Sequence, residues 1–218
     1  MTLGGRSQRP VTGKLLFLSS GERFDACAAT SDGAYPGSTL TRHLVLTDRF
    51  LVDDFTVVSA QEQQVDWFAH ALSGELRPLA VAAAPTTIVP GDKDAYQHLS
   101  DATARAVDGD TRWDFLADPA NPQAPILRLR LAGAGPEQLI ATTGIGYRVD
   151  QRVPCLIRRR TAANTRFTAV YDLSGSGDAV RGVRASASPK RVIVTTAAGD
   201  WDLILGDEGV TCTPPPTP

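Results

Sequence analysis

This chain is short of the residues on which most chemistry depends. Its 218 residues include three histidines, three cysteines and one methionine, and aromatics make up only 6%. Cys27, Cys155 and Cys212 lie far apart and form no C-x-x-C arrangement, which excludes a disulfide framework or a thiolate metal knuckle. Three reduced cysteines, acting as small buried hydrophobes, is the favoured reading; one disulfide with a thiol left over stays open. Neither sign of charge is in excess. The 22 Lys and Arg against 24 Asp and Glu leave a formal charge of −2, so no basic field exists to hold nucleic acid or an anionic membrane. No apolar run approaches the roughly 20 residues of a spanning helix, and the N-terminus lacks the pattern of a signal peptide. Neither nucleic acid nor a membrane is expected as a partner.

What the chain does have is alternation. Leu127, Leu129 and Leu131 alternate with Arg128 and Arg130, and Leu40, Leu44 and Leu46 sit around Arg42. A period of two places such leucines on one face of a strand. Further strands are predicted at 14–18, 24–29, 50–58, 65–72, 139–143, 156–160, 165–171, 180–185, 191–196 and 201–205. Turn clusters rich in Gly, Asp and Ser separate several of them, as at Asp108-Gly109-Asp110. Only residues 96–107 admit a helix, with Ser100 as a possible cap, and strand competes with it there. Many short strands without helical patterns between them predict an all-β fold, a large antiparallel two-sheet β-sandwich. Residues 1–210 read as one such domain, a partial one, and 211–218 as a proline-rich disordered tail.

The stretch from Tyr35 to Leu76 carries the most specific signal. Arg42 opens one strand, Val52-Asp53-Asp54 lies in the next, and a third ends in Asp66-Trp67-Phe68-Ala69-His70. This order resembles the C-terminal β-sandwich of the heparinase II/III-like polysaccharide lyases, including its supersandwich-like size. Thr2-Leu3-Gly4-Gly5-Arg6-Ser7-Gln8 is similar to an earlier family segment, although an aspartate is lost. Gly144-Ile145-Gly146-Tyr147, Pro154-Cys155-Leu156-Ile157-Arg158-Arg159-Arg160 and Arg166-Phe167-Thr168-Ala169-Val170-Tyr171 resemble later strands.

The resemblance implies β-elimination on uronic-acid glycans in a complete enzyme. It also implies that the catalytic α/α toroid and the strands holding a zinc ion would precede Met1. On that reading this chain carries no catalytic residues, no metal site and no cofactor of its own, and zinc is expected only in the complete enzyme. Its partners would be an acidic polysaccharide or an α/α toroid domain, with self-association possible through an exposed sheet edge. Export to the periplasm or beyond would follow from the family, with any signal peptide on the preceding part.

Several side chains remain to be weighed. His43, Asp53 or Asp54, and His70 have ligand chemistry suited to zinc, but strand context makes His43 a half-exposed residue and His70 a packed one. Asp53, Asp54 and Asp66 suit a paired acid and base; the architectural reading has one carboxylate of the Asp53-Asp54 pair facing inward to hold Arg42 or a turn amide. Arg42, Asp53, Asp54, Trp67 and His70 are therefore expected to be structural. Arg128 and Arg130, with Arg158, Arg159 and Arg160, read as the solvated face of strands, or as forks for a uronate or sulfate. Trp67 and Trp201 read as core. Trp113, between Arg112 and Asp114, is the tryptophan expected to be exposed as a sugar platform. Trp113, Arg128 and Arg130 are the candidate substrate-binding residues.

Overall fold

Each alternating segment has one apolar face to bury, and strands are how it buries that face. The computed structural model describes residues 1–215 and is 63% strand, with one 3-10 turn at Asp94–His98. In chain order the strands begin with β1 (Thr2–Leu3), β2 (Lys14–Ser20), β3 (Asp25–Tyr35), β4 (Ser38–Leu46) and β5 (Phe50–His70). Next come β6 (Glu75–Ala80), β7 (Thr86–Thr87), β8 (Ser100–Val107), β9 (Thr111–Leu116), β10 (Ile126–Leu131) and β11 (Glu137–Ile145). The last are β12 (Arg152–Asp172), β13 (Val180–Ser186), β14 (Arg191–Thr196), β15 (Gly199–Gly206) and β16 (Gly209–Thr213). They form two antiparallel sheets and close no barrel, as the patterning predicts. The larger runs β2-β3-β4-β5-β12-β10-β9-β6, with β1, β11, β8 and β7 attached beside that path; the smaller is β13-β14-β15-β16. None of the described helical residues is long and apolar enough to cross a membrane.

Two 21-residue strands organise the larger sheet. The sequence suggests a break in each, at 59–64 and 161–164; instead β5 and β12 run through. Their pairing changes register there. Ala162 faces Gln63 and Asn164 faces Val58, so Ser59, Ala60, Gln61 and Glu62 stand opposite the single residue Ala163. Such an unequal count bends and twists a strand. The shift is odd, so the core face of β12 passes from Phe167 and Ala169 to Leu156 and Arg158. A slip of one place turns every side chain over, and here it turns two arginines inward.

Three clusters result. Trp67, Trp113, Phe115, Leu129, Leu156 and Phe167 fill the space within the bent sheet. Phe50, Val52, Val170, Val183, Trp201 and Leu203 join the two sheets, with Phe50 and Trp201 edge to face at 5.4 Å. Tyr96, Ile140, Cys155 and Ile157 form a third cluster beside the 3-10 turn. All three cysteines are free.

Of the two readings left open at 96–107, the strand is realised: the 3-10 turn ends at His98 and β8 begins at Ser100, because Ala102 and Ala104 alternate into the third cluster. One expectation is revised. The tail starts later than 211. Thr211, Cys212 and Thr213 retain the N–H donors that proline lacks, and they pair with β15 opposite Ile204, Leu203 and Asp202. Residues 216–218 lie outside the described residues.

The inward arginines are matched by one carboxylate. Arg158 is fully buried; its Nε and Nη2 donate to Glu137, its Nη1 to the Thr168 carbonyl at 3.0 Å and its Nη2 to the Ala132 carbonyl at 2.8 Å. Arg160 donates from Nε to the same Glu137 at 3.0 Å, and both guanidiniums lie over the Phe167 ring. Removing one partner of a buried ion group strands the others. Glu137→Ala is therefore expected to cost about 3–5 kcal/mol, read as a fall in the urea midpoint. Glu75→Ala, on an exposed pair, is expected to cost less than about 1 kcal/mol.

Candidate functional site

Neighbouring residues of a strand point to opposite faces, and both faces of the first half of β5 are covered. Asp53 and Asp54 are accordingly both fully buried, where the sequence suggested that only one would be. Asp53 accepts a two-pronged contact from Arg42, at 2.8 and 2.7 Å, one of the pairings the sequence left open. Burial pushes the Asp53 carboxyl up and the Arg42 fork opposes the rise.

Asp54 faces the smaller sheet. Its Oδ2 accepts from Arg166 Nε at 2.6 Å and from the Thr168 hydroxyl at 2.7 Å, and its Oδ1 lies 3.3 Å from Lys190 Nζ. Lys190 in turn donates to His43 Nδ1 at 3.3 Å, leaving His43 Nε2 to donate to the Gly206 carbonyl at 3.2 Å. His43 is 1% exposed rather than half-exposed, since the smaller sheet covers its strand. Residues from β4, β5 and β12 are thus tied to the β13–β14 turn and to β15.

On the second half of β5, Asp66 is also fully buried. It accepts from Arg159 Nε at 2.9 Å and Nη2 at 2.7 Å, and from the Tyr96 hydroxyl, which also contacts the Thr2 hydroxyl. Burial, aided by Asp66, pushes the Tyr96 hydroxyl up to about 12, so it stays a proton donor at neutral pH. His70, expected to be packed, is exposed at the end of β5. Trp67 is 2% exposed and Trp201 9%, as their apolar strands imply.

These residues do not make a zinc site. His43 and Asp54 are cross-strand partners, but Lys190 occupies the ground between them and His70 is at the far end of the strand. Among the described residues, no three His, Cys, Asp or Glu side chains are placed to share a metal ion.

Trp113 is not a surface platform: it is 1% exposed. Its flanking charges carried a different message from the one taken from them. In a strand, Arg112 and Asp114 take one face and send Trp113 to the other, against Leu129. Arg128 donates to Asp114 from Nε at 2.7 Å and Nη2 at 2.8 Å, and from Nη1 to the Gly177 carbonyl at 2.6 Å. Gly177 has a φ of 72° and would set a Cβ 3.1 Å from that of Arg128, so only glycine suits both the turn and the contact. Arg130 is half-buried and faces Arg112 across the ladder. Arg158 and Arg160, read as solvated, are the core pair already described. Sequence reasoning missed Glu137, Lys190 and Tyr96, whose partners lie 21, 136 and 30 residues away at nearest.

A cleft of about 560 Å³ lies between the β2–β3 and β4–β5 turns. Glu22, Asp25, Asp48 and Thr47 line it with Trp201, over which the Arg23 guanidinium sits at 5.3 Å. A β-elimination needs a free base at the proton α to the carboxylate and an acid at the leaving oxygen. The buried carboxylates of β5 are instead each engaged by arginine.

No family model matches this chain, and no curated protein matches it. Solved structures do. Heparan sulfate lyase HepC from Pedobacter heparinus is 10% identical, with a TM-score of 0.62 over 95% of this chain and 30% of that one. Heparinase III, the BT4657 gene product, is 11% identical, with a TM-score of 0.63 over 93% of this chain and 29% of that one. The fold of this chain is thus one found within heparinase III structures, of which it spans less than a third.

His43 makes stability depend on pH. Its pKa is held below the usual 6.5 by burial first and then by the Lys190 charge. The unfolded chain takes up that proton near 6.5, so the contribution is complete above about that pH. It is lost as pH falls from there toward the lower folded value. The urea midpoint is expected to drop between pH 7 and pH 5, and His43→Gln to flatten that part of the profile.

Proposed function

We propose that this chain is the β-sandwich portion of a heparinase II/III-like polysaccharide lyase, and that it does not catalyse β-elimination alone. The complete enzyme would act on uronic-acid-containing glycans. A base would take the proton α to the uronate carboxylate, the freed electron pair would form a carbon–carbon double bond, and the glycosidic oxygen would leave with a proton. One observation carries the reading: nearly all of this chain follows the fold of lyase structures three times its length. The engagement of Asp53, Asp54 and Asp66 by arginines supports an architectural role for the chain. No metal is assigned to it; the zinc implied by the resemblance belongs to the rest of the enzyme.

The surface suits assembly with an α/α toroid domain. Strand β2 is hydrogen-bonded on one side only, to β3. A register shift between Leu15 and Phe17 brings Leu15 and Leu18, 60% and 71% exposed, onto the face shared by Leu44 and Leu46. An uncovered edge and an apolar face invite a partner. A standalone carbohydrate-binding module is the second reading, favoured by the cleft at Trp201.

The test has two parts. The purified chain is incubated with a panel of uronic-acid polysaccharides while the ultraviolet absorbance of the unsaturated product is followed; no rise is expected, and turnover would overturn the proposal. Sedimentation of the chain mixed with the separately expressed toroid of a heparinase III is expected to show a complex that Leu18→Glu weakens by about tenfold, on the order of 1.4 kcal/mol. An inert monomer that ignores the toroid and retains glycan would favour the binding module.

A further inference from the structure

Arginine is frequent in this fold, and where it is withdrawn from solvent it is almost always answered by a carboxylate or a carbonyl. Arg112 and Arg130 are the departure. They are directly opposite each other on β9 and β10, where like charges destabilise a ladder. Both are half-buried, and neither guanidinium donates to any acceptor among the described residues. Each has its Nε shut off from solvent without a partner, a cost the fold avoids at Arg158 by giving all three of its nitrogens an acceptor.

The acids that share this face are already engaged. Asp114 receives the fork of Arg128, and Asp172 accepts from the backbone of Ser174 and Val180 and from the Ser174 hydroxyl. Burial, then the charges of Arg112 and Arg128, lower the pKa of Arg130, which is the electrostatic mark of a positive site lacking its counter-ion.

We propose that Arg112 and Arg130 form a two-guanidinium seat for an oxyanion, the sulfate or carboxylate of an acidic polysaccharide. Two adjacent planar forks can share one such group, each giving parallel N–H donors to its oxygens. Occupation would engage the Nη donors, which the buried Nε atoms leave as the accessible side of each fork, and cancel the cross-strand repulsion. The seat lies on the face of β9 and β10 opposite Trp113 and Leu129, next to Val170 at the border of the inter-sheet cluster. The oxyanion chemistry follows from the two arginines, while its source in a polysaccharide rests on the lyase reading above.

The experiment titrates the purified chain at constant ionic strength with sodium sulfate, a sulfated uronic-acid tetrasaccharide and its desulfated counterpart. Binding is read by calorimetry and by the thermal midpoint, for wild type, R112Q, R130Q and the exposed control R148Q. Saturable binding of the sulfated tetrasaccharide is expected, with the midpoint raised in wild type and R148Q. Each of R112Q and R130Q should weaken it by at least about tenfold. Without ligand, R130Q should be no less stable than wild type, since it removes a repulsion. Loss of stability in R130Q with no change in ligand response would mark the arginine as structural and overturn the proposal. Equal binding by R112Q and R130Q would overturn it as well. Binding of free sulfate but of neither tetrasaccharide would overturn the polysaccharide assignment. Because the readout is binding to this chain, failed assembly with a toroid leaves the result unaffected.

Discussion

One buried carboxylate holds the bent sheet in its shape. Glu137, at the start of β11, accepts from both Arg158 and Arg160 of the first half of β12. Arg158 then reaches the Thr168 carbonyl in the second half of the same strand and the Ala132 carbonyl just past β10. A hydrophobic cluster would exclude water from this space equally well, but it would not prescribe which backbone oxygens must meet. Replacing buried ion groups with apolar residues is often neutral or stabilising elsewhere. The geometric demand of the Arg158 fork, rather than net energy, is what this triad contributes.

The same economy runs along β5. Asp53 ties β4 to its neighbour β5, while Asp54 and Asp66 join parts distant in sequence: the large sheet to the small one, and β5 to β12 and the 3-10 turn. These contacts resemble acid–base constellations when the residues are read one at a time. In place they are cross-links, with the charged atoms facing inward and their hydrogen-bonding capacity spent on the fold. The surface features proposed for assembly and for anion binding are the half-covered leucine face near β2 and the arginine pair that the interior leaves unanswered.

Much of this was legible beforehand. The all-β class, most strands and the burial of Trp67 and Trp201 follow from alternation alone, since period two is a property of neighbouring residues; that an aspartate of the 53–54 pair would face inward was legible, but not which one held Arg42. The likeness of 35–76 to a lyase sandwich was legible too, because it rests on short motifs in fixed order. Where the reading failed, the same rule had been applied incompletely. Arg112 and Asp114 flank Trp113 and so point away from it, which makes their charge a sign of its burial.

The sequence by itself determined which residues share a strand face, because that depends only on spacing along the chain. The tertiary structure decided which face is inside. The unequal pairing of Ser59, Ala60, Gln61 and Glu62 with Ala163 turns β12 over halfway along, carrying Arg158 and Arg160 into the core. Closure of the smaller sheet buries His43 and Asp54. Neither event leaves a local trace, since each depends on contacts between residues tens to more than a hundred positions apart, and only the folded chain brings those charges within reach of one another.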